Sequence, residues 1–172
     1  MIYFVIVNYN SSYLIHRLLN SLPRKTSIPY HVLVVDNSEN NDVVIFKENF
    51  TKKITIIQSE NNIGFGCGCN LGLTKIYHLD SKALVWIVNP DIFFDNNALE
   101  KVWSFFKKNI ELSIVGTFIY TTDQKTWFGG GRFDSFQGKI VSENLFPQFS
   151  QISYVPCDWV SGCSMIINLT HF

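Results

Sequence analysis

The side chains best equipped to grip a polar ligand stand in four short clusters. Asn8 and Asn10 follow an apolar run at 2–7, and Asp36, Asn37 and Ser38 follow a second at 31–35. Asn61, Asn62 and the spaced glycines Gly64, Gly66 and Gly68 follow a third at 54–58, and Asn89 with Asp91 follows a fourth at 83–88. Asp91 sits after Pro90, which fixes the turn. A hard cation could bridge its carboxylate to a diphosphate, since magnesium needs only one or two carboxylates when phosphate oxygens supply the rest. The glycines let backbone approach a ligand and can begin a helix whose positive end favours phosphate. Any one cluster could be no more than caps and turns. Their recurrence after four apolar runs points to a site.

The elements that must hold these clusters are legible from periodicity. Strands are expected at 2–7, 31–35, 54–58, 83–88 and 114–120, being short, continuous and rich in β-branched residues. Helices are expected between them. Leu14, Ile15, Leu18, Leu19 and Leu22 recur at helical spacing up to Pro23, a short helix spans 43–50, another leads from the glycines to His78, and Leu99, Val102, Phe105 and Phe106 form a stripe after a cap at Asp95 or Asn97. Strands alternating with helices predict an α/β fold with a mostly parallel sheet, whose ligand crevice lies off the carboxyl ends of the strands. That pattern covers 1–120. Over 121–172 it fades into Gly129-Gly130-Gly131, Pro147, Pro156 and short apolar pieces, which predict loops and a few mixed strands.

Composition excludes several classes. The chain has 172 residues, 47% of them hydrophobic, with fifteen Phe and four Trp, so it is one packed domain and neither disordered nor a coiled coil. Fourteen basic residues balance fourteen acidic ones, which leaves no global field for nucleic acid. No apolar run exceeds seven residues, far short of the ~20 that span a bilayer, and no secretory signal is expected at the start of the sequence. A cytoplasmic location is expected. Cys67, Cys69, Cys157 and Cys163 fit neither a zinc pair nor a disulfide framework, and the four histidines show no metal spacing. There is no dinucleotide fingerprint after the first strand and no Walker sequence.

Taken in order, Val5-Ile6-Val7-Asn8-Tyr9-Asn10, Val34-Val35-Asp36-Asn37-Ser38, Asn61-Asn62-Ile63-Gly64-Phe65-Gly66 with Asn70, and Val88-Asn89-Pro90-Asp91 resemble the motifs of family 2 glycosyltransferases. Gly129-Gly130-Gly131-Arg132-Phe133-Asp134 and Asp158-Trp159-Val160-Ser161-Gly162-Cys163-Ser164-Met165 are similar to the rhamnosyltransferase-like branch that builds bacterial cell-surface polysaccharides. The resemblance implies a single GT-A domain over 1–172, with a nucleotide-sugar half at 1–120 and a partial acceptor half at 121–172. It implies inverting transfer of a sugar, rhamnose in that branch, from a UDP- or dTDP-linked donor to a glycan or lipid-linked glycan. Asn8, Tyr9, Asn10, Asp36, Asn37, Asn62, Gly64, Phe65, Asn70, Asn89 and Asp91 would line the donor pocket. Asp91 would carry Mg²⁺ or Mn²⁺ in a D-x-D motif whose first aspartate is Asn89 here. Trp159 and Gly162 would face the sugar or acceptor. The implied setting is the inner face of the bacterial membrane, with at most peripheral association through the acceptor.

Inverting transfer also needs a base on the acceptor hydroxyl. In the resembled family the base belongs to an acidic pair after the segment that holds Trp159 and Gly162. No such pair occurs before Phe172, and among Asp134, Glu143 and Asp158 only Asp158 is a candidate, a weak one. The expectation is therefore a C-terminally incomplete enzyme, weakly active or inactive alone. Two rival readings are a sugar nucleotidyltransferase, disfavoured because Asn8-Tyr9-Asn10-Ser11-Ser12 lacks a basic residue, and a degenerate domain that binds a partner through its aromatic surface.

Overall fold

A computed structural model describes residues 1–23, 26–39, 53–142 and 154–172. The helix expected at 43–50 lies outside them. Among the described residues, ten strands and three α-helices occur. Six strands form the main sheet: β1 (Ile2–Asn8), β2 (Tyr30–Asp36), β3 (Ile54–Gln58), β4 (Leu84–Val88), β5 (Ile114–Gly116) and β10 (Ser164–Asn168), in the order β3-β2-β1-β4-β10-β5. The first four are mutually parallel, and β10 runs antiparallel to both its neighbours. This is the expected α/β architecture, with one strand from late in the chain set into the sheet's interior.

β1 shows why these residues make a central strand. All seven are buried, and alternation sends Ile2, Phe4 and Ile6 to one face and Tyr3, Val5 and Val7 to the other. Burial of each large apolar side chain stabilises the fold by ~1.5–3 kcal/mol. The first face is covered by α1 (Ser12–Ser21), with Ile15, Leu18 and Leu19 buried, and α3 (Ala98–Lys108), with Leu99, Val102 and Phe106 buried. Pro23 ends α1 as expected, since Leu22 before it is held extended.

The other face is covered by α2 (Gly64–Leu79), and here the structure revises the reading of the glycines. Gly66 and Gly68 lie inside the helix. A Cβ on Gly72 would come within 2.7 Å of a Val5 methyl and one on Gly68 within 3.0 Å of Val7, so these positions let the helix lie close on β1. The strand expected at 114–120 is also interrupted. After Gly116 the Thr117 hydroxyl donates to Ser164 Oγ at 2.7 Å, the chain leaves the sheet, and β6 (Ile119–Tyr120) pairs with β7 (Thr126–Phe128). A second hairpin, β8 (Gly131–Asp134) with β9 (Lys139–Ser142), follows at once. Leu169–His171 close the described chain as a 3₁₀ turn, the Asn168 side chain accepting from Thr170 N.

Candidate functional site

The parallel register puts the ends of β1 and β2 level, with Asn8 opposite Asp36 and Asp36 opposite Gln58 of β3. Asn8 and Asp36 are the last residues of their strands, buried in the ladder, where the clusters in the sequence suggested loops. The Asn8 amide donates to Asp36 Oδ1 at 2.9 Å and to Ser38 Oγ at 3.2 Å. Its own Oδ1 accepts from Ser11 N and from the Ser11 hydroxyl, so the start of α1 is fastened to the end of β1. Ser38 N donates to Asp36 Oδ1 at 3.0 Å, and Asn10 N donates to Ser38 Oγ at 2.9 Å. Asn10 holds φ +51°, a left-handed conformation that asparagine tolerates better than most residues.

Asp36 Oδ2 is buried and has no hydrogen-bond partner among the described residues. Leaving a buried polar atom unpaired costs ~1–3 kcal/mol, which makes it a position where a donor from a ligand would be rewarded. The neighbouring cluster extends the same wall. The Asn37 amide donates to Asn62 Oδ1 and to Gly64 O, and Asn62 Oδ1 accepts from Gly64 N. Gly64, with φ +81°, opens α2 in a conformation that most residues avoid. Gln58 and Ser59 complete the support. The Gln58 amide donates to the carbonyls of Asp36 and Ser38, and the Ser59 hydroxyl donates to Asp36 O and Asn37 Oδ1. Reading the sequence missed these two. Their signal was an amide at the last position of the run at 54–58 and a hydroxyl directly after it.

β1 lies between β2 and β4, so the end of β4 stands two strand spacings, about 10 Å, from that of β2 along the same edge. Asn89 N donates to Cys163 O at 3.0 Å, and Ile92 N donates to Asn89 O in the turn that presents Asp91. Asp91 is exposed. The bond from Asn89 to Cys163 O sets the segment around Cys163 against the Asp91 turn, and burial, with Asp91 as a smaller cause, pushes the Cys163 thiol up. A Cβ on Gly162 would come within 3.2 Å of the Phe65 ring, so that segment also reaches the start of α2.

The remaining expected residues fall elsewhere or point outward. Tyr9 and Phe65 are half-exposed at the rim, and Asn70 is exposed on α2. Trp159 forms a bridge with Gly131 and packs on Phe128 at 4.9 Å between ring centroids, its indole Nε1 buried without a partner. Asp158 is engaged by β8, accepting from Phe133 N at 2.9 Å with Arg132 3.8 Å away.

The donor set suits a hard cation only in part. Asp91 offers one carboxylate and Asn89 an amide, and no group of three His, Cys, Asp or Glu able to hold a metal occurs among the described residues. Such a site fits Mg²⁺ or Mn²⁺ when diphosphate oxygens supply the other ligands. No helix among the described residues is long and apolar enough to cross a membrane.

The family model described as Glycosyl transferase family 2 matches residues 3–165. No curated protein matches the chain by sequence. The solved structure of S. aureus TarS 1–349 in complex with UDP-GlcNAc is similar at a TM-score of 0.61 and 21% identity, over 77% of this chain and 38% of that one. The mannosyltransferase PcManGT from Pyrobaculum calidifontis in complex with GDP-Man and Mn²⁺ is similar at a TM-score of 0.58 and 18% identity, over 70% and 35%. The chain thus spans well under half the length of either protein. At these identities the likeness establishes the fold, which is GT-A.

Proposed function

Because the chain belongs to glycosyl transferase family 2, we propose that it binds a nucleoside diphosphate sugar at the carboxyl edge of β1, β2 and β4 and serves its inverting transfer to a glycan or lipid-linked glycan acceptor. The observation that carries this reading is the buried, unpartnered Asp36 Oδ2, fixed by Asn8 and Ser38, on the same edge as Asp91. UDP-GlcNAc and GDP-Man in the similar structures support a nucleotide-sugar ligand. The motif set that resembles the rhamnosyl branch makes rhamnose the sugar of choice, with dTDP or UDP as carrier. Nothing in the charge or hydropathy of the chain calls for a span or for nucleic acid, and the setting we assign is the cytoplasmic side of the bacterial membrane.

In this reading the 1–120 half holds the donor and the 121–172 half frames the acceptor. Asp36 accepts a hydrogen bond from the base or ribose, while Asn8 fixes the carboxylate and Asn10, Asn37 and Asn62 shape the pocket around it. Asp91, helped by the Asn89 amide, would hold Mg²⁺ or Mn²⁺. When bound there, such a cation would supply charge neutralisation for a departing diphosphate. The start of α2 adds its positive end to that task. Deprotonation of the acceptor hydroxyl falls to no described residue in a clear position, because Asp158 is held by Phe133 N and Arg132. The chain alone is therefore expected to bind donor and to turn it over slowly or not at all.

Calorimetry with UDP and dTDP, each with and without Mn²⁺, tests the reading. Binding that Mn²⁺ strengthens supports it. No heat at millimolar nucleotide in either condition would sink it, and turnover at an ordinary enzymatic rate would overturn the assignment of a missing base.

A further inference from the structure

A cavity of about 780 Å³ opens at the edge of the main sheet, between α3, β5, β10 and the stretch 154–160. Its wall includes Val102, Phe105, Val115, Phe128, Trp159 and Met165. Protein interiors are close-packed, and a hollow of this size falls within the ordinary range of ligand pockets.

The wall's polar groups narrow the choice of ligand. Lys101 Nζ donates to Asp95 at 3.0 Å, Thr117 Oγ1 donates to Ser164 Oγ, and Asp158 accepts from Phe133 N. The Trp159 Nε1 lies against Gly131, where a Cβ would collide with the indole. Lys101, Thr117 and Asp158 are spent on the protein and the indole N–H is buried against Gly131 without a partner, so a molecule seated here is held chiefly by burial of hydrocarbon. The wall also runs directly into the candidate donor site. Trp159 and Val160 line the cavity, Gly162 meets Phe65 at the start of α2, and Cys163 O accepts from Asn89 N beside Asp91.

We infer that the cavity takes the hydrocarbon chain of the acceptor, so that the acceptor's polar end is presented across the 159–163 segment toward Asp91. The link to the acceptor rests on the transferase reading above, whereas hydrocarbon binding in the cavity stands apart from it.

A series of methyl, butyl, hexyl and octyl β-glucosides, kept below micelle-forming concentrations and titrated by calorimetry, tests this. Affinity should rise by up to roughly four-fold per methylene as the chain is buried. Val115→Trp and Val155→Trp, which fill the cavity from two walls, should each weaken octyl glucoside at least tenfold and leave UDP affinity unchanged. An affinity independent of chain length, or octyl binding retained in every folded variant, overturns the inference. If one variant fails to fold, as judged by circular dichroism, the other and the chain-length series decide. Parallel UDP titrations separate the two proposals. Octyl binding without UDP binding keeps the hydrocarbon site and removes its link to sugar transfer, and UDP binding without octyl binding removes the cavity assignment alone.

Discussion

Replacing Asp36 by asparagine separates the ligand role of this residue from its structural one. The carboxylate has two oxygens with different duties: Oδ1 accepts from the Asn8 amide at 2.9 Å and from Ser38 N at 3.0 Å, while Oδ2 is buried with no partner. In Asp36→Asn the amide oxygen keeps both inner bonds, and an NH₂ replaces the idle Oδ2. One buried unpaired group is exchanged for another, so stability should move by no more than ~1 kcal/mol. A ligand N–H or O–H that bonds Oδ2 meets a donor instead. Losing a hydrogen bond to a charged acceptor costs ~1.5–3 kcal/mol, or roughly a ten- to hundredfold loss of affinity. Asp36→Ala removes Oδ1 as well, stranding Ser38 N and weakening the hold on Asn8, and should cost a further ~1–3 kcal/mol of stability for each group left unpaired. Calorimetry with UDP in the absence of metal, beside urea unfolding, reads both quantities. If Asp36→Asn binds UDP as the parent does, Oδ2 takes no ligand. If it is destabilised as much as Asp36→Ala, the residue is architectural and the argument fails.

Three further outcomes follow from the structure. Asp91→Ala should leave metal-free UDP affinity within about twofold while abolishing the gain from Mn²⁺, because Asp91 is the one carboxylate placed at that turn; calorimetry reads the difference. Gly72→Ala drives a methyl to within 2.7 Å of Val5 between α2 and β1, and should cost ~1–3 kcal/mol in urea unfolding, where a neutral result would mean that the helix shifts freely. Burial pushes the Cys69 thiol from 9.0 up to about 11. The unfolded chain gives up this proton first as pH rises, so stability conferred by the buried thiol is full below pH 9 and declines between pH 9 and about 11. The urea midpoint should therefore fall more steeply over that interval in the parent than in Cys69→Ala, and Cys67, exposed on the same helix, should be alkylated by iodoacetamide well before Cys69.

Much of this was legible in the sequence for reasons that are local. Unbroken β-branched runs such as 2–7 and 31–35 have few alternatives to a buried strand, and Pro23 leaves a helix little choice about where to end. The polar clusters were legible as a set because strand ends in a parallel sheet share an edge. What escaped is non-local. The residues of β10 read as a short apolar piece, and its place between β4 and β5 depends on partners some fifty to eighty positions away, Ile114 opposite Ile167 and Leu84 opposite Asn168. The break at Thr117 depends on Ser164, and Gly68 read as part of a ligand loop because the Val7 methyl groups that crowd it lie in another element. Gln58 and Ser59 support the site through backbone carbonyls of residues far from them in sequence, a role that side-chain type alone does not disclose.

The position of β10 also has a bearing on how the chain is made. β1, β2 and β4 can associate as soon as they leave the ribosome, but β5 has no partner in the sheet until residues 164–168 emerge and slide in beside it. During that interval β4 shows an unpaired flank, and Trp86 waits for the Ser164 hydroxyl that its indole N–H will engage at 2.9 Å. Nascent chains arrested before this point should be sensitive to protease and prone to stick through β4, and protection of β5 and of the open flank of β4 should arrive together, in one late step, once β10 has docked.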